Sequence, residues 1–173
     1  MVKRNAILLA VILMMAGSAG LFAQVAGDDW LHTLGNRIVD SQGREVWITG
    51  ANWFGFNCTE RVVHGLHAVK IETLVTRIAE LGVNTIRLPI STELMNEWRT
   101  GNIGMPLSIN GDPNVNAHLL DMNTLELFDY LLSLFEDAGL KVIMDVHSAE
   151  ADNSGHVYPL WYKGSITTAI FQS

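Results

Sequence analysis

The stretch Gly139-Leu-Lys-Val-Ile-Met-Asp-Val-His147-Ser148 decides the fold. Before it, Leu127, Phe128, Leu131, Leu134 and Phe135 recur at helical spacing, and Asn123 with Glu126 resembles a capping box. Gly139 closes that helix, and two residues later Lys141 to Val146 reads as a strand. The same order occurs upstream. Ile71, Leu74, Val75, Ile78 and Leu81 mark an amphipathic helix, Gly82 stands at its C-terminal cap, and Val83 to Ile90 reads as a strand. A third helix is expected to begin at Ser165 or Thr167. Strands that alternate with helices at this spacing predict an α/β fold built on a parallel sheet.

Outward from this unit the signals weaken. Leu31 to Asp40 and Arg44 to Thr49 are two short apolar-rich runs separated by Ser41-Gln-Gly43, which predicts an N-terminal β-hairpin. Gly50-Ala-Asn-Trp-Phe-Gly-Phe56 follows, with Asn52 and Trp53 closing the first strand of the sheet. Ser91 to Leu120 contains Gly101, Gly104, Pro106, Gly111 and Pro113 and reads as a long polar loop. Asn96-Glu97-Trp98 lies within it.

Met1 to Gln24 stands apart. Lys3 and Arg4 precede an apolar run from Ala6 to Ala16, and small residues follow, which predicts a secretory signal peptide over residues 1–23 and a secreted chain from residue 24. The run is short of the roughly 20 residues that a membrane-spanning helix needs, so no membrane association is expected after cleavage. The whole chain has 173 residues and a net charge of −7; the leader holds two of its eleven cations and none of its eighteen acids. That acidic balance argues against a nucleic-acid partner. Cys58 is the sole cysteine, which excludes an intramolecular disulfide and reads as a small buried hydrophobe. Asn57-Cys58-Thr59 formally matches a glycan acceptor.

Two parallel-sheet architectures compete. A doubly wound dinucleotide domain calls for G-x-G-x-x-G at a strand-to-helix turn, and neither this motif nor a P-loop follows any strand. A (β/α)8 barrel places its chemistry at the carboxyl ends of its strands, where Asn52, Arg87 and His147 fall. Side chains alternate along a strand, so Asp145 and His147 share one face and Val142, Met144 and Val146 the other. Arg87 likewise points away from Ile86 and Leu88. Each of these residues has a structural reading: Arg87 as an ion pair with Asp145, His147 as a satisfied core histidine, Trp53 as core. Their joint placement at one end of successive strands favours a functional one. His64 and His67, with Glu60, form a weak metal-like grouping that reads better as a solvated loop. Trp98, Tyr158, Trp161 and Tyr162 are candidate platforms for sugar rings.

Gly50-Ala-Asn-Trp-Phe-Gly-Phe56, Asn84-Thr-Ile-Arg-Leu-Pro-Ile90, Val142-Ile-Met-Asp-Val-His-Ser148 and Leu160-Trp-Tyr162, in this order, resemble the first three barrel strands of glycoside hydrolase family 5, the cellulase family. The resemblance runs from about Leu31 to the last residue. It implies a TIM barrel truncated after about three β/α units, and residues 24–173 as the N-terminal part of a catalytic barrel. It also implies hydrolysis of a β-linked polysaccharide, foremost a β-1,4-glucan, with no cofactor. Mannanase activity or non-catalytic carbohydrate binding are the alternatives. Arg87 matches the arginine that supports the family's nucleophile, and His147 the histidine that binds sugar hydroxyls. Asn52, Trp53 and Trp161 are expected beside them. The family's two catalytic glutamates match nothing here: no Asn-Glu-Pro occurs, and both are expected beyond Ser173.

Overall fold

The computed structural model describes residues 30–152 and 160–173. The segment read as a signal peptide, residues 1–23, and Tyr158 lie outside the described residues. The chain divides into two compact units, Met1–Trp47 and Ile48–Ser173.

In the first unit, β1 (His32–Leu34) pairs antiparallel with β2 (Arg37–Val39). This corrects the expected hairpin, because the reversal falls at Gly35-Asn36, inside the first apolar run. Gly35 sits at φ 63°, which a two-residue hairpin turn admits at its first central position. The expected turn after Asp40 is also present. The Asp40 carboxylate accepts the backbone N–H of Gln42 and Arg44, each at 2.9 Å, and so brings Glu45 back to a single bridge with Val39. The Arg44 N–H bond above all, joined by the Arg44 guanidinium and the Gln42 N–H, holds the Asp40 carboxyl below its usual value against the opposing effect of burial.

The second unit is α/β. Its sheet is parallel, in the order β3 (Gly50–Asn52), β4 (Thr85–Ser91), β5 (Lys141–Ser148). Between β3 and β4 runs α1 (Ile71–Glu80), and between β4 and β5 run α2 (Thr92–Thr100), a 3-10 turn (Ala117–Leu119) and α3 (Thr124–Asp137). A short α4 (Thr168–Phe171) follows β5, capped by the Thr167 hydroxyl. Ile86, Leu88 and Ile90 of β4 are fully buried and pack with Ile71 and Val75 of α1 and Leu127, Leu131 and Phe135 of α3. The 3.6-residue periodicity therefore marked the buried faces, except at Leu81, which is the C-cap of α1 and is exposed. The capping box at Asn123 and Glu126 is present, and Gly82 and Gly139 follow their helices at φ 82° and 69°.

The segment read as a long loop begins instead with α2. Ser91 is both the last residue of β4 and the N-cap of α2, its hydroxyl accepting the Leu94 N–H at 3.1 Å. Glu93 in the first turn and Arg99 in the last complement the helix dipole, and Gly101 ends the helix at φ 75°.

The remainder of that segment is pinned by Asn116, which is fully buried. Its amide nitrogen donates to the carbonyls of Leu66 (2.7 Å) and Val69 (2.8 Å), and its oxygen accepts the Ile71 N–H at 3.1 Å. Lys70 gives α1 no side-chain cap, so Asn116 supplies one from 45 residues away. No helix among the described residues is long and apolar enough to cross a membrane.

Candidate functional site

The carboxyl ends of β3, β4 and β5 bring four polar side chains together. Register pairs Asn52 with Arg87, and Arg87 with Ile143, so Asp145 and His147 follow Ile143 on the same face. Arg87 Nη2 donates to Asp145 Oδ2 at 2.5 Å, and Arg87 Nη1 donates to Asn52 Oδ1 at 3.3 Å. His147 Nδ1 lies 2.9 Å from the same Asp145 oxygen and 3.3 Å from Arg87 Nη2. These side chains are only partly buried: about a third of Arg87 and a quarter of His147 remain exposed, which keeps the group open to a ligand. The anionic and carbonyl partners that a strand-embedded arginine requires are therefore Asp145 and Asn52.

The strand pairing adds one irregularity. Ile90 pairs with Val146, but Ser91 pairs with Ser148, so His147 is the extra residue of a bulge at the strand end. A bulge re-aims the side chain it carries, and here it does so at the rim of the cluster.

A second network fixes the segments around this rim. Arg61 reaches Glu97 Oε2 at 2.5 Å and Glu93 Oε1 at 3.3 Å. Glu93 in turn accepts the Ala151 N–H at 2.7 Å, and its own N–H donates to the Ala149 carbonyl at 2.8 Å. The start of α2 is thus tied to the backbone that leaves β5. The residues carrying this tie belong to α2, the helix that sequence reasoning read as loop. Glu97 stands on α2 facing Arg61, and the Asn96-Glu97-Trp98 triplet is helical.

Not every expected residue joins the cluster. Trp53 leaves the opposite face of β3 from Asn52: its ring packs toward Phe135 with centroids 6.2 Å apart, and its indole N–H donates to the His64 carbonyl at 2.8 Å. It acts as a packing residue here because alternation turns it toward the helices. Trp98 also corrects an expectation. It lies among Phe56 and Phe128 and donates to Thr124 Oγ1 at 2.9 Å, which makes it part of the core. His64 stacks on Phe54 at 4.8 Å and meets Glu60 at 3.2 Å. A cleft of about 390 Å³ runs along β3 beside His64 and Leu74, and Arg87, Asp145 and His147 do not line it.

Trp161 and Tyr162 are half-exposed, edge to face at 5.6 Å, and the Trp161 carbonyl accepts the Thr92 hydroxyl at 2.8 Å. That bond places the aromatic pair next to the end of β4.

Cys58 is buried, as its hydrophobic reading requires. Burial, with the charges of Glu60 and Asp152, pushes its thiol up to about 11. Only a thiolate alkylates readily. Iodoacetamide at about pH 8, below that value, is therefore expected to leave Cys58 unmodified in the folded protein and to label it fully in guanidinium, as read by mass spectrometry. Rapid labelling of the native protein would contradict this environment. The neighbouring Asn57 is fully buried, and its side-chain oxygen accepts the Gly55 N–H at 3.2 Å.

The model of the family described as Cellulase (glycosyl hydrolase family 5) matches residues 39–172. The chain is 44% identical over 172 residues to Endoglucanase B of Acetivibrio thermocellus, covering 96% of the chain and 30% of that protein. It is 38% identical to Endoglucanase G of the same organism, covering 97% of the chain and 34% of that protein. The chain thus spans about a third of the length of these curated relatives. Among solved structures, the catalytic domain of the major endoglucanase from Xanthomonas campestris pv. campestris superposes with a TM-score of 0.69 at 30% identity, covering 82% of this chain and 38% of that one. An endocellulase from Pyrococcus horikoshii, solved with cellotetraose, superposes at 0.68 with 28% identity, covering 82% of this chain and 36% of that one.

Proposed function

The chain belongs to glycosyl hydrolase family 5, the cellulase family, and from that membership we propose that the polypeptide at its relatives' full length is a secreted endoglucanase acting on β-1,4-linked glucan. The observation that carries this reading is the Asn52–Arg87–Asp145–His147 cluster at the carboxyl ends of three parallel strands. In this reading the sheet is the beginning of an eight-stranded (β/α)8 barrel, whose open face at the strand ends is where such folds do their chemistry. Residues 1–23 are a cleaved secretory leader.

Hydrolysis in this family needs two carboxyl groups flanking the anomeric carbon. One protonates the departing oxygen, and the other attacks and forms a glycosyl intermediate that water then resolves. Both are proposed to come from polypeptide outside these 173 residues. Within the chain, Glu150 is engaged with Lys163 at 3.0 Å, and Asp145 is shared by Arg87 and His147. The role of Arg87 is to hold a neighbouring nucleophilic carboxylate ionised and in place, since a cation close by favours the charged form. Asn52 and His147 contact sugar hydroxyls, and Trp161, with Tyr162 beside it, offers a ring face on which a pyranose stacks. No cofactor takes part.

The test is release of reducing ends from carboxymethylcellulose, mixed-linkage β-glucan and mannan by the purified complete polypeptide. Turnover on carboxymethylcellulose with a rapid fall in viscosity is the expected result, and residues 24–173 alone are expected to release nothing. Cleavage confined to mannan would replace the substrate class, and binding without turnover would replace the enzyme with a carbohydrate-binding protein.

A further inference from the structure

Resting on the reading of His147 as a sugar-contacting residue, we propose that Asp145 is a positioning residue: it fixes the neutral His147 imidazole with its proton on Nδ1 and so presents Nε2 to substrate as a hydrogen-bond acceptor. Asp145 stands two residues before His147 on the same strand face, with its Oδ2 2.9 Å from Nδ1. A carboxylate oxygen only accepts. An unprotonated Nδ1 at that distance would oppose two lone pairs, whereas a protonated one makes a charge-assisted hydrogen bond.

Arg87 is the competing donor, at 3.3 Å from Nδ1. The same Arg87 nitrogen is closer to Asp145 Oδ2, at 2.5 Å, and the other terminal nitrogen is directed to Asn52. Placing the proton on Nδ1 therefore keeps the Arg87 bonds to Asp145 and Asn52 and gives up only the longer approach of Arg87 to the ring, while removing it would set Asp145 against the ring. Asp145 consequently receives two donors on one oxygen and locks both. The neutral imidazole has one donor and one acceptor, so a donor spent inward on Asp145 leaves Nε2 as the acceptor. Nε2 has no hydrogen-bond partner among the described residues. The substrate group that meets it must supply a proton, as a sugar hydroxyl does. Fluorine in that hydroxyl's place would not substitute for it, because fluorine accepts and cannot donate.

The experiment uses the complete polypeptide labelled with ¹⁵N only at histidine, with long-range ¹H–¹⁵N correlations recorded at about pH 8, above the ordinary imidazole range. The His147 signals are assigned by their loss in His147→Gln. A pyrrole-like Nδ1 with a pyridine-like Nε2 is expected in the parent. In Asp145→Ala the pattern is expected to move toward the Nε2-protonated form that free histidine favours. Asp145→Asn, whose amide can turn either end to the ring, is expected to give a mixture and to lower kcat/KM on glucan tenfold or more while staying folded, its melting transition lowered only by the weakened pair with Arg87. A protonated Nε2 in the parent, alone or together with Nδ1, overturns the proposal whether or not the variants fold. Glucan hydrolysis is scored separately in the parent: its absence would count against the endoglucanase reading and leave the proton position as measured.

Discussion

Arg87→Ala in the complete polypeptide is expected to lower kcat on glucan by about a hundredfold or more, with KM changing far less. The guanidinium makes directional bonds to Asp145 and Asn52 across three strands, and a preorganised donor removed from an active site costs turnover on this scale. The alanine variant also leaves Asp145 without its cation. That loss lowers stability, though by less than the roughly 3 to 5 kcal/mol of a fully buried pair, because both side chains are about a third exposed. Arg87→Lys separates the two effects. An ammonium can satisfy Asp145 but cannot span Asp145 and Asn52 as a planar fork does, so it is expected to recover the melting temperature and not the rate. Parent-like kcat in the lysine variant would reduce Arg87 to a structural ion pair.

Gly55→Ala is expected to be the most damaging added methyl group among the described glycines. At Gly55, φ is 139°, which side-chain-bearing residues rarely adopt, and a Cβ there would lie 2.0 Å from the Val62 carbonyl oxygen and 2.7 Å from the His64 nitrogen. Both are backbone atoms, so no rotamer change relieves the clash. The His64 N–H bond to the Phe54 carbonyl at 2.9 Å and the turn from Gly55 to Cys58 at 3.0 Å must open instead. Overpacking costs about 1 to 3 kcal/mol where side chains can yield, and strained backbone adds about as much again. A loss on the order of 4 kcal/mol is expected in urea denaturation of the complete polypeptide, with Gly104→Ala, which meets nothing within 4 Å, as the control. Equal midpoints for the two variants would show that this segment is softer than the close contacts imply.

The parts of the fold that sequence disclosed are those set by period. Asp145 and His147 share one face of β5 as their spacing implies, although burial along the strand does not alternate and Met144, expected on the covered face, is exposed; Arg87 among three buried neighbours demanded an anion that proved to be Asp145. The helices α1 and α3 carry wide apolar stripes and end at glycines. α2 escaped because it is nine residues long, contributes only Leu94, Met95 and Trp98 to an apolar face, and starts with no connecting loop. Its marks were present in Ser91, Glu93, Arg99 and Gly101, but capping signals are read only where a helix is already suspected. The hairpin turn was misplaced because two glycine turns, at Gly35 and Gly43, compete within one short segment. Nothing local announced Asn116, whose bonds span 45 to 50 residues. Nor did any pattern announce the bulge at His147, which arises from the register between two strands. Trp53 and Trp98 were ambiguous for a related reason: an aromatic ring suits a core and a sugar face equally, and only packing decides.

The burial of Asn57 bears on where this protein can be manufactured. Asn57-Cys58-Thr59 is an oligosaccharide acceptor only while the chain is unfolded, because in the native state Asn57 is fully enclosed and its side chain closes the turn at Gly55. A eukaryotic secretory host modifies such sequences as they emerge from the membrane, before that enclosure exists. A glycan of many polar groups cannot then be accommodated beside Cys58 and Gly55, and the modified molecules are withheld from the native state. Yield from yeast would thus measure a race between enzyme and folding, one that a bacterial cell without this machinery never runs.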